Sequence, residues 1–285
     1  MSRHLIIGWL ILVASAPFAD AQTKRRVFVL HSGMHIILAP LDKDHASRTL
    51  KANLAERGVA ERDLVAIANP FAMATVKEMI PRQGLILYVE SADPASRSSQ
   101  EAYLRLDAAL KAHSVSKNDE IVWIGHSAGG QIGMTMAHLA HNLAKYPELA
   151  KKTQAYRFDT VITLGAAVGS NPTPADVKLR HYHSPADTMI FFLCKHGNVV
   201  AESVKSKVQF RVCYDLGPKA KVRVFPGIEH MEWYDDDAVL KSILREFELT
   251  GRPAWRRPHA DAATGVGLSQ LFAQALEAEF KISLE

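Results

Sequence analysis

Residues 120–140 read EIVWIGHSAGGQIGMTMAHLA, and the way the chain passes through the middle of this stretch decides how the rest is read. Ile121-Val122-Trp123-Ile124 is an unbroken apolar run, the pattern of a strand covered on both faces. It stops at Gly125, passes through His126-Ser127-Ala128 and enters a helix-like stretch over 129–145. A strand that turns straight into a helix needs a very tight corner. Gly125 and Gly129 stand two residues to either side of Ser127, where side chains would collide across that corner.

The pattern Gly125-x-Ser127-x-Gly129 is therefore a nucleophile elbow in its proper setting, between a strand and a helix. The corner holds the hydroxyl out above the sheet at a helix N-terminus, where free N–H groups and the helix dipole favour negative charge. A serine hydroxyl is a poor nucleophile by itself and needs a general base and a group that orients the base. In this context the acid and then the histidine follow the serine along the chain.

Outward from the elbow, short apolar runs alternate with longer amphipathic ones. Strands are expected at 27–30, 64–68, 121–124, 161–164, 177–183 and 222–225, with a weaker run at 85–89. Helices are expected at 44–57, 98–112, 129–145 and 237–247, and a last one over about 268–280. Continuous apolar strands separated by helices imply an α/β fold, a mostly parallel sheet of about six strands with helices on both faces.

Thirteen histidines are candidates for the base. His230 follows the last strand, in a loop at the same end of the sheet as the elbow. His126 lies within the elbow and points wrongly for a base. His138 and His141 fall on a helix, and His181, His183 and His196 are runners-up. For the acid, Asp187 lies in Ser184-Pro185-Ala186-Asp187, a turn-forming loop at the carboxyl end of a strand. Asp176 and Asp215 are weaker rivals, and Asp235, Asp236 and Asp237 read as charges at a helix N-terminus. The oxyanion of an acyl-transfer intermediate needs two fixed donors. One is expected to be the Ala128 N–H, and the other the Met34 N–H in the loop after the first strand.

The chain has 285 residues and is 48% hydrophobic, enough for one buried core. Its net charge of +4 comes without a cluster of Lys or Arg among aromatics, which argues against a nucleic-acid partner. Residues 1–21 read as a signal peptide: basic Arg3, an apolar Leu5–Val13 too short to span a bilayer, and an Ala19-Asp20-Ala21 cleavage site. Export, to a periplasm or outside the cell, follows from it. Residues 22–285 are then one domain, with 251–285 as a C-terminal extension. Residues 70–97 are either an ordinary crossover or an apolar cover that would contact lipid transiently. Cys194 and Cys213 are either a disulfide or two buried thiols.

With these residues in hand, the chain resembles the α/β-hydrolase superfamily, in particular its lipase- and esterase-like serine hydrolases. The resemblance covers residues 27 to about 247, through the first strand and its loop, the Gly-His-Ser-Ala-Gly-Gly elbow, the loop 164–170, the Ser-Pro-Ala-Asp loop and the Gly-Ile-Glu-His loop. It implies Ser127 as nucleophile, Asp187 as acid, His230 as base, and Ala128 and Met34 as oxyanion donors. The family usually has His-Gly directly after that first strand, whereas this chain reads His31-Ser32-Gly33. The implied activity is hydrolysis of a small-molecule or lipid ester, without a cofactor or metal. Thioesters or amides on the same triad, or an inactive fold kept as a binding module, are the alternatives.

Overall fold

The computed structural model describes residues 24–33, 35–36, 45–67, 72–73, 93–166, 174–187 and 220–249. The expectations for the leader, Met34, most of 70–97, the run at 85–89, both cysteines and the tail from 251 fall outside those residues.

In chain order the elements are β1 (Arg26–His31), β2 (His35–Ile36), α1 (His45–Glu56), β3 (Leu64–Ile67), β4 (Ala72–Met73), α2 (Arg97–Ala112), β5 (Glu120–His126), α3 (Ala128–His141), α4 (Pro147–Ala150), β6 (Arg157–Leu164), β7 (Lys178–His183), β8 (Lys221–Val224) and α5 (Asp237–Glu246). Six strands form one sheet in the order β3-β1-β5-β6-β7-β8, with every neighbouring pair parallel. β2 and β4 make a separate two-residue parallel pair. The order reverses between β1 and β5: β3 lies to one side of β1, and all later strands extend to the other. In an open parallel sheet such a switch point leaves a crevice at the carboxyl ends of the strands, where ligands bind.

Period-two alternation divides the strands between two cores. Val27 and Val29 of β1 join Ile121, Trp123, Val161 and Leu179 on one face, packed against Tyr103, Leu106 and Leu110 of α2 and Ile132 and Met136 of α3. Phe28 and Leu30 join Val122, Ile124, Ile162 and Leu164 on the other, under Leu50 and Leu54 of α1 and Val239, Leu240 and Ile243 of α5. β5 lies at the centre, and its Ile121 through Ile124 are essentially inaccessible. Burying each such side chain is worth about 1.5–3 kcal/mol, so the elbow emerges from the best-supported strand of the sheet.

Helix ends are placed by local chemistry. The Ser96 hydroxyl accepts from the Ser99 N–H at 3.0 Å and starts α2. One carboxylate oxygen of Asp236 accepts from the Ala238 and Val239 N–H groups at 2.9 and 3.0 Å and starts α5. Asp237 follows in the first turn, so these aspartates are helix-start charges, as their sequence context implies. Gly58, at φ +96°, turns the chain out of α1.

Candidate active site

Ser127 occupies the N-cap position of α3, where a serine ordinarily accepts from an N–H of the first turn. It makes no such bond. Its backbone is at φ 54°, ψ −129°, a left-handed φ that is rare for a residue with a Cβ. The corner is held on both sides: the Ser127 N–H donates to the Leu164 carbonyl at 2.9 Å, and the Gly130 N–H donates to the Ser127 carbonyl at 3.0 Å. The hydroxyl is thus diverted from capping and held at the helix start, next to the N–H groups that α3 cannot satisfy internally, beginning with Ala128.

The glycines are required by contact. A Cβ on Gly125 would lie within 2.5 Å of the Gly130 nitrogen and closer still to the Gly129 carbonyl. One on Gly129 would lie 2.7 Å from the carbonyl oxygens of His31 and Ser32. The start of α3 therefore rests on the loop after β1. The Trp123 indole N–H donates to the Gly129 carbonyl at 2.9 Å and locks that turn from below. Gly33 lies against Ser127 itself, since a Cβ there would be 2.6 Å from the Ser127 Cβ and 3.2 Å from its Oγ.

Asp187 follows β7 in a turn closed by two bonds to Ser184: the Ala186 N–H to its hydroxyl at 3.1 Å and the Asp187 N–H to its carbonyl at 3.2 Å. His230 lies in the loop after β8. Its Nδ1 is 2.9 and 3.0 Å from the two carboxylate oxygens of Asp187. A carboxylate only accepts, so Nδ1 carries the proton, and the neutral ring keeps Nε2 as its unprotonated nitrogen. Burial alone would raise the Asp187 carboxyl. The charge and hydrogen bond of His230, followed by a hydrogen bond from Trp233, more than offset it and hold the group below the ordinary carboxylate range.

Trp233 is the residue that sequence reasoning missed. Its indole N–H donates to Asp187 Oδ2 at 2.7 Å from a fully buried position. The available signal was a tryptophan three residues after His230 in the same loop. Gly165, at φ +50°, makes room for this pair, because a Cβ there would lie 2.5 Å from Asp187 Oδ2 and would overlap the Trp233 nitrogen.

Ser127, Asp187 and His230 thus lie at the carboxyl ends of β5, β7 and β8, on one rim of the sheet. His126 connects two of them. It directly precedes Ser127, its Nε2 is 2.7 Å from the His230 carbonyl, and its ring centroid is 4.7 Å from that of His230. Its side chain is therefore turned away from the role of base, as the sequence implies. His181 is buried with its Nδ1 2.7 Å from the Thr163 hydroxyl. His141 pairs with Asp176 at 3.2 Å on the surface, which removes Asp176 from the site. Met34, Asp215 and His196 fall outside the described residues. Among the described residues, no group of three or more His, Cys, Asp or Glu could hold a metal ion.

An all-parallel sheet with a switch point beside a strained serine elbow, and with acid and histidine loops following on the same rim, decides the architecture. The fold is that of an α/β hydrolase. Solved structures similar to the chain include an Agrobacterium tumefaciens protein described as a putative α/β hydrolase, at 12% identity and TM-score 0.40, covering 82% of this chain and 91% of that one. A Listeria innocua protein is similar at 8% identity and TM-score 0.45, covering 79% and 94%. A carboxylesterase from Mesorhizobium loti is similar at 13% identity and TM-score 0.37, covering 79% and 88%. No protein-family model matches the sequence, and no curated protein does.

Proposed function

We propose that this hydrolase-fold chain is an exported serine hydrolase that cleaves carboxylic esters through Ser127, Asp187 and His230. The observation that carries the reading is the buried His230–Asp187 hydrogen bond, at 2.9 Å, on the same rim as a serine at φ 54° whose hydroxyl is withheld from capping. A structural histidine–aspartate pair has no need of a strained serine nearby, and a strained serine has no need of an oriented imidazole. Together they are the parts of nucleophilic acyl transfer.

In this mechanism Ser127 Oγ attacks the ester carbonyl carbon while His230 Nε2 takes the hydroxyl proton. Asp187 holds the resulting imidazolium through Nδ1–H and remains ionised. The carbonyl oxygen becomes an oxyanion at the start of α3, where the Ala128 N–H is one donor and the Met34 N–H is proposed as the other. The C–O bond to the leaving group breaks, and His230 gives its proton to the departing alcohol. Water then attacks the acyl-serine with His230 again as base, and the acid leaves with Ser127 restored.

A chromogenic short-chain ester provides the test. Hydrolysis by the wild type and its loss in Ser127→Ala is the expected result. Equal turnover by the two proteins, both purified and folded, would reject the reading in favour of a non-catalytic role.

A further inference from the structure

We propose that His126 is the positioning residue for the base: its imidazole donates to the main-chain carbonyl of His230 and packs on the His230 ring, joining the end of β5 to the base loop. The inference rests on the serine-hydrolase reading above and adds a component that the triad does not include.

The bond spans 104 residues of sequence, with His126 Nε2 and the His230 carbonyl oxygen 2.7 Å apart, both residues being buried. A carbonyl oxygen can only accept, so the proton of the neutral ring is on Nε2. The two rings lie 4.7 Å apart at 44°. His126 also meets Tyr234 in a T-shaped ring contact, at 5.5 Å and 80°. Tyr234 is itself pinned, because the Asn53 side-chain amide of α1 donates to its carbonyl at 3.1 Å. His126 thus touches both the His230 ring and a pinned aromatic, and it holds the carbonyl of the residue that must deliver a proton.

The titratable groups facing His126 are His230 and Asp187 in charge and Tyr234 by ring contact. Burial first, and the charge of His230 second, lower its pKa to about 3. It therefore stays neutral at the pH where an esterase works. This matters mechanistically. A neutral His126 keeps its donor proton while His230 cycles between neutral and cationic, and it never sets a second positive charge beside the imidazolium. The loop that carries His230 runs through turns from Pro226 to Asp235, without a strand or helix of its own. A bond to β5, the central strand, is what such a loop needs to keep an imidazole in register with a serine one residue beyond the anchor.

The experiment compares His126→Phe, which keeps a ring without the N–H, with His126→Gln, whose amide can place a donor near the Nε2 position. His126→Phe is expected to lose about 10- to 100-fold in kcat with KM nearly unchanged, the scale of a base misplaced by about 1 Å. His126→Gln is expected to restore most of that loss. In the wild type, nitrogen chemical shifts of the His126 ring should report a neutral Nε2–H tautomer that does not titrate between pH 8 and 5, a readout that needs no variant to fold. Ser127-dependent turnover together with wild-type kcat in folded His126→Phe, or a His126 protonated on Nδ1, overturns the inference alone. Ser127-independent turnover overturns the hydrolase reading on which it rests.

Discussion

Trp233→Phe removes one hydrogen-bond donor from Asp187, together with a small part of the buried ring. The indole N–H is 2.7 Å from Asp187 Oδ2, with no accessible surface on the tryptophan. A bond to a buried charged acceptor is worth about 1.5–3 kcal/mol net. The smaller ring also gives up buried carbon, about 1 kcal/mol more. A total loss of about 2.5–4 kcal/mol corresponds to a melting temperature lower by about 10 °C for a domain of this size. The loss also has a pH signature. Burial pushes the Asp187 carboxyl up, His230 and then Trp233 pull it down, and the folded value lies below the ordinary one. Stability from such a group is present above the unfolded carboxylate range and is lost as pH falls through the folded value. The gap between wild type and Trp233→Phe should therefore be full at pH 7 and shrink in acid. A less firmly held carboxylate should also lower kcat/KM about tenfold, or about 1.4 kcal/mol. Thermal unfolding by circular dichroism at several pH values and ester kinetics at pH 7 read both effects. A variant melting within about 2 °C of wild type, with unchanged kcat/KM, would refute the assignment of Trp233 as a support of Asp187.

Three further outcomes are expected. Gly33→Ala brings a methyl to 2.6 Å from the Ser127 Cβ, so Ser127 must shift; under the proposed function, ester hydrolysis should fall by about 100-fold, while the melting temperature falls much less. Gly165→Ala combines an unfavourable φ of +50° with a methyl 2.5 Å from Asp187 Oδ2. Both melting temperature and turnover should drop, in contrast to Gly33→Ala. Finally, burial lowers His31 to about 4, and His126 and His181 to about 3. The unfolded chain binds protons there first, so stability is complete above about pH 6.5 and declines below it, by about 2 kcal/mol per histidine at pH 5. A urea midpoint that stays constant from pH 7 to 4 would contradict this.

The strands and the elbow were legible because both are written in local chemistry. β1 and β5 carry continuous apolar runs over 27–30 and 121–124, and Gly125 and Gly129 are spaced as a tight corner demands. The elements β2 and β4 were not legible: two-residue strands carry no periodicity. β8 shows that an apolar strand pattern does not fix burial, since Val222 and Val224 are 53% and 57% exposed on the last strand of the sheet order. Asp187 and His230 stand out in sequence because each lies in a loop at the carboxyl end of a strand, and the structure hydrogen-bonds them through Nδ1. His181 shares that end of the sheet, but its Nδ1 is committed to Thr163, a partnership set by cross-strand register that no linear pattern displays. The partners of Trp233 and His126 were invisible for the same reason. A tryptophan after His230 and a histidine before Ser127 are ordinary neighbours in sequence, and only the fold aims one at a carboxylate and the other at a carbonyl.

The most direct measurement is mass spectrometry of the protein after exposure to a fluorophosphonate probe, with the modified peptide mapped. The account predicts one adduct, on Ser127, formed rapidly in the wild type and at least about 100-fold more slowly in His230→Asn. A protein that takes up no probe, or that carries it at a position other than Ser127, would contradict it.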